Sequence, residues 1–109
     1  MIVSLVEMPE DFAPPGRVVF PAPDEQEKIY RLLKFVAPPT QWQIKRRAFY
    51  LAAIAAEIAE REKCRTALVE GPEFLCGPLE RAIAAVGLTP YYCYVAPDGD
   101  VSFIPAALD

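Results

Sequence analysis

The 109-residue sequence predicts a small Rossmann-like α/β sandwich of about four strands and three helices, with a parallel centre and an antiparallel C-terminal edge strand. Three observations carry that expectation. Residues 2–6 and 66–70 are short aliphatic runs of the kind buried on both faces of a parallel sheet. Residues 66–95 read strand, helix, strand within about 30 residues, the length of a βαβ unit. Residues 41–62 form an alanine-rich stretch free of glycine and proline, which supplies a long helix.

The first strand is expected at 2–6, Ile-Val-Ser-Leu-Val. Residues 8–23 contain Pro9, Pro14, Pro15, Gly16, Pro21 and Pro23, which sustain neither a helix nor an interior strand, so a Pro-rich loop is expected with a brief extended piece at 18–20. Residues 24–35 open on acidic side chains behind Pro23 and place Ile29, Leu32, Leu33 and Phe35 mostly on one helical face. Pro38 and Pro39 end that helix, and Thr40 is an N-cap for 41–62.

Ile44, Ala48, Leu51, Ala52, Ala55, Ile58 and Ala59 share one stripe of the long helix. Trp42, Phe49, Ala53 and Ala56 extend its apolar surface beyond that stripe. They are read either as cover for the chain's other helices or as a contact with a second copy. After the strand at 66–70, Gly71-Pro72 breaks the chain, and Pro78 is read as the first turn of a helix that carries Leu79, Ile83 and Val86 and stops at Gly87. Tyr91-Tyr92-Cys93-Tyr94-Val95 is the next strand. Pro97-Asp98-Gly99-Asp100 is a turn that returns 101–104 antiparallel.

Length and balance fit a single domain over 1–109, with 53% hydrophobic and 24% charged residues. Cys64, Cys76 and Cys93 are widely spaced and odd in number, which suits packing roles in a reducing compartment over a disulfide framework. The chain has no histidine, so the commonest zinc ligand and general base are both missing and neither a metal nor a cofactor is expected. The N-terminus reads as neither a signal peptide nor a membrane span, which gives a cytoplasmic expectation. A net charge of −4 argues against broad nucleic-acid binding.

In open α/β sheets the ligand sits beyond the carboxyl ends of the parallel strands. That rule points to residues 70–79, where Gly71 and Gly77 allow a close backbone approach and Glu70 and Glu73 place negative charge. The segment matches neither the dinucleotide fingerprint nor a phosphate-binding loop, so it reads either as a structural turn and helix cap or as a ligand loop for a polar or cationic group. Glu70 and Glu73 also admit a reading as a catalytic acid and base. Lys45, Arg46 and Arg47, interleaved with Trp42, Phe49 and Tyr50, could grip phosphate and stack a base, or form a solvated helix face. Tyr91, Tyr92, Tyr94 and Cys76 read first as packing residues.

The stretch from Leu33-Lys34-Phe35 through Pro38, Arg47-Ala48 and the long helix, then Ala67-Leu68-Val69-Glu70-Gly71-Pro72-Glu73-Phe74-Leu75, Pro78-Leu79-Glu80 and Gly87-Leu88-Thr89-Pro90-Tyr91-Tyr92, resembles a group of short uncharacterised bacterial α/β proteins. The resemblance spans about the last two thirds of the chain and implies a shared βαβ scaffold without implying an activity. The chain departs from that group's paired glycines, carrying Glu70-Gly71 after the strand. Three functions follow as expectations. The first is a non-catalytic, homodimeric module that binds a ligand or partner around residues 70–77, with a nucleotide-type small molecule among the candidates. The second is a metal-independent nucleotide-acting enzyme, such as a small nuclease or cyclic-oligonucleotide phosphodiesterase, that uses Lys45, Arg46 and Arg47 on phosphate. The third is a structural subunit.

Overall fold

The computed structural model describes residues 1–6 and 16–107. In chain order these form β1 (Ile2–Ser4), β2 (Val18–Val19), α1 (Pro23–Leu33), α2 (Gln41–Glu62), β3 (Thr66–Leu68), α3 (Glu73–Ala85), β4 (Thr89–Val95) and β5 (Val101–Pro105). The strands make one sheet in the order β2-β1-β3-β4-β5. All neighbours are parallel except β4 and β5, so the expected parallel centre and antiparallel C-terminal edge are both present.

The sheet has five strands where the sequence suggested about four. The additional strand is β2, inside the segment read as a Pro-rich loop over 8–23, of which 8–15 lies outside the described residues. Val18 and Val19 pair with Ile2 and Val3, and Ile2 N donates to Arg17 O at 3.0 Å. Two β-branched residues free of proline suffice for an edge strand once β1 offers a partner.

Helix α2 begins and ends where the sequence places it. Thr40 Oγ1 accepts from Gln43 N at 3.2 Å while Thr40 N donates to Gln43 Oε1 at 2.9 Å, a reciprocal cap that satisfies two backbone donors. At the far end Lys63 takes a left-handed conformation at φ 58°, and its N–H donates to Ala59 O. Alanines 48, 52, 55 and 59 are buried, and small side chains on that face permit the close, extensive packing of α2 on α3.

Helix α3 departs from expectation. It starts at Glu73, not at Pro78, and carries Gly77 and Pro78 in its interior. Pro72 O accepts from Leu75 N at 2.9 Å and Cys76 N at 3.2 Å, which opens the first turn ahead of the proline. Leu75, Leu79 and Ile83 then share one fully buried face that spans the break. An interior proline costs ~3 kcal/mol, but each buried leucine returns about 1.5–3 kcal/mol, so tertiary packing overrides the breaker.

One hydrophobic cluster joins Val3, Leu5, Ala67 and Val69 of the sheet region to Ile29 of α1, the buried stripe of α2 and the apolar face of α3. Among the described residues, all three helices therefore pack into the cluster on one side of the sheet. Ile2, Ser4 and Leu68 alternate to the opposite face and are buried as well. The β4–β5 hairpin turns at Asp98–Asp100, where Asp98 Oδ1 accepts from Asp100 N at 3.0 Å and Gly99 supplies φ +91°.

Candidate functional site

The order β2-β1-β3-β4-β5 contains a reversal. From β1 the chain moves outward to β2, whereas from β3 it moves the other way to β4. The carboxyl ends of β1 and β3 therefore mark the point of strand-order reversal, the usual ligand position in open α/β sheets. A crevice of about 800 Å³ lies at this point. Its walls come from Ser4, Leu5 and Val6 at the end of β1, Phe20 and Pro21 after β2, and Glu70 and Gly71 after β3. Helix α1 closes it with Ile29, Tyr30 and Leu33, and Lys34 stands at the helix end.

Each wall is fixed by local bonding. Gln26 Nε2 donates to Pro21 O at 2.9 Å and Ala22 N donates to Glu25 Oε1 at 2.9 Å, so the segment after β2 is tied to the first turn of α1. The buried Ser4 hydroxyl donates to Val6 O at 2.9 Å and accepts from Val6 N at 3.2 Å. That hydroxyl shapes the chain leaving β1 and is held away from nucleophilic work. Gly71 sits at a close approach: a Cβ there would stand 3.1 Å from Leu75 Cδ2 and 3.4 Å from Leu33 Cδ2, so Leu75 would have to give by a few tenths of an ångström. Its missing side chain lets the ends of α1 and α3 meet at the crevice.

Of the residues singled out from the sequence, Glu70 and Gly71 line the crevice. Glu73 lies in the first turn of α3, and Gly77 lies inside that helix beneath the Arg81 guanidinium, whose Nη1 would be 3.5 Å from an added Cβ. Neither lines the crevice, and the loop expected over 70–77 is confined to the few residues between β3 and α3. Arg46 and Arg47 separate onto different faces of α2. Arg47 Nη1 donates to Lys34 O at 2.5 Å and reaches Leu32 O at 3.4 Å, while its guanidinium stacks 4.2 Å from the Phe35 ring. It closes the carboxyl end of α1, a position that favours a cation. Arg46 instead projects into solvent, 5.0 Å from the Trp42 ring and 5.4 Å from the Tyr50 ring.

Sequence reasoning missed the β1 end, Phe20, Pro21 and the α1 wall. The available signal was the extended piece at 18–20. Placed beside β1, it makes the β1/β3 gap a reversal point.

Behind the crevice, Cys76 Sγ donates to Gly71 O at 3.5 Å. Burial, then Cys76 and Glu80 beside it, push the Tyr92 hydroxyl far above the usual phenol range, which fits Tyr92 as a packing residue between α3 and the sheet. Burial, with a smaller contribution from the Glu70 carboxylate, raises the Cys93 thiol as well. Neither group is set up as an activated nucleophile. Among the described residues, no group of three His, Cys, Asp or Glu side chains gathers as metal ligands, and no helix is long and apolar enough to cross a membrane.

No protein-family model matches the chain, and neither a curated protein nor a solved structure matches it. The class of protein that fold and site define is thus an α/β sandwich with a crevice at the point of strand-order reversal.

Proposed function

We propose that the chain is a small non-catalytic binding module, homodimeric and cytoplasmic, that holds a small amphiphilic molecule at the β1/β3 crevice. The observation that carries this reading is the coincidence of the crevice with the reversal of strand order. Its volume falls within the range of small-molecule sites, and its lining combines an apolar floor of Leu5, Ile29 and Leu33 with the aromatic side chains of Phe20 and Tyr30. The charged side chains of Glu70 and Lys34 in the lining suit a ligand with an apolar or aromatic body and one polar end, a nucleotide-type molecule included. Cys64, Cys76 and Cys93, all free thiols, fit a reducing compartment.

The nucleotide-acting enzyme has less support. Arg47 is committed to the α1 carbonyls, and Lys45 and Arg46 are not among the crevice lining. A thermal-shift panel of nucleotides, cyclic oligonucleotides and amino acids tests the proposal. A ligand that raises the melting temperature should bind about tenfold more weakly to Tyr30→Ala and to Phe20→Ala, since each removes one aromatic wall. Both side chains are half-exposed, so the ligand-free variants should melt close to the wild type. Binding indifferent to both changes but lost in Arg46→Ala would move the site to α2, and turnover of the ligand would end the non-catalytic reading.

A further inference from the structure

Helix α2 has two seams. Ile44, Ala48, Leu51, Ala55 and Ile58 follow a four-three-four-three spacing toward the core. On the opposite side Trp42, Arg46, Phe49, Ala53, Ala56 and Glu60 repeat with the same alternation, which is the spacing of a coiled-coil contact. Trp42 meets Arg46 and Phe49 meets Tyr50 on the same helix, yet the two remain 65% and 63% exposed, leaving large aromatic surfaces open.

The outer seam is also polarised along its length. Its N-terminal half carries the bulky Trp42 and Phe49 beside the cations Lys45 and Arg46, while its C-terminal half carries Ala53 and Ala56 beside Glu57 and Glu60. None of those four charged side chains makes an ion pair among the described residues. A helix with this polarity is complementary to its own reverse. We propose that α2 pairs antiparallel with α2 of a second copy, about a two-fold axis crossing near Leu51. The inference rests on the homodimeric part of the proposed function and names its surface.

That register places Phe49 opposite Ala53, Arg46 opposite Ala56 and beside Glu57, and Trp42 opposite Glu60. Large side chains meet small ones, cations meet carboxylates, and the symmetry repeats each contact twice. A parallel pairing would set Arg46 against Arg46 and Glu60 against Glu60, and it would align the two helix dipoles. The antiparallel arrangement escapes all three penalties.

Sedimentation equilibrium of the full chain tests the geometry, with circular dichroism confirming that each variant is folded. The wild type should be a dimer. Ala53→Glu, at an exposed helical position, should raise the dimer dissociation constant by about tenfold or more, since it puts a charge where Phe49 of the second copy packs. Arg46→Glu should weaken the dimer, and the pair Arg46→Glu with Glu57→Arg should recover affinity to within about threefold of wild type, because the swap preserves the cross-helix attraction. A monomeric wild type at millimolar concentration overturns the proposal. So does a dimer insensitive to Ala53→Glu, which would assign self-association to another surface such as the exposed Tyr94, Val95 and Ile104 of the hairpin, and so does a double variant weaker than either single one. The crevice is built within one chain, so monomeric Ala53→Glu should still bind whatever ligand the thermal-shift panel finds. Failure of the dimer and failure of the ligand site are thereby read separately.

Discussion

Glu25 shows how much a single carboxylate can organise. It accepts from Ala22 N at the start of α1 and from both terminal nitrogens of Arg61 on α2, at 3.0 and 3.3 Å. The Arg61 guanidinium outweighs the partial burial and holds the Glu25 carboxyl below its ordinary value of 4.5. Folding thus lowers this pKa, so the pair stabilises the protein above the ordinary carboxylate value and loses that contribution as pH falls through the lowered one. Arg61 is half-exposed, so solvent screening keeps the contribution of the pair small. Glu25→Gln should therefore lower the melting temperature at neutral pH, with the gap to wild type closing in acid. A gap that stays constant into acid would assign the loss to packing instead. The sequence announced Glu25 only as one of several acidic residues at a helix start. Its partner lies 36 positions away, a pairing that no local pattern contains.

At the scale of elements, α2 was legible because every local preference agrees: a Thr cap, a Gln three residues on, and an uninterrupted run of helix formers. The start of α3 was illegible for the opposite reason, since Gly77-Pro78 reads locally as a boundary while Leu75 and Leu79 are held in one buried face from either side of it. Beyond its chain neighbours, an added Cβ at Gly77 would touch only the far end of the Arg81 side chain, but Gly77 is a helical residue directly before Pro78, where the proline ring crowds the Cβ of any other residue. Gly77→Ala should therefore leave the denaturant midpoint unchanged or lower it, since crowding by the Pro78 ring opposes the ~1 kcal/mol gain in helix propensity. A clear rise in stability would show that the helix absorbs the added methyl beside Pro78 without strain. Gly71 is the contrasting case, since its added Cβ would press on two leucines at the crevice wall. Adjacent in the sequence reading as one pair of loop glycines, the two have different physical reasons to exist.

Across the whole molecule, the sheet centre and the C-terminal hairpin follow from local signals, and so does the part of the site at the end of β3. The remainder of the crevice depends on β2 lying beside β1, a non-local pairing of two short strands that hydrophobic periodicity does not encode. Composition excluded histidine chemistry without locating a ligand, and the basic cluster on α2 reads differently once Arg47 is seen closing α1. The two-residue length of β2 has a thermodynamic side. It is the sheet element held by the fewest ladder bonds, so its amides should exchange with solvent through small local openings while those of β3, paired on both sides, follow more global unfolding. A molecule lodged between Phe20-Pro21 and Glu70-Gly71 would join the least protected edge of the sheet to its centre. Hydrogen–deuterium exchange should then slow selectively at Val18 and Val19 on ligand addition, with little change in β4 and β5, and uniform slowing would indicate a ligand bound elsewhere. Occupancy of the crevice would in this way be recorded as the closing of a frayed sheet edge, a signal that can be followed without knowing what the ligand is.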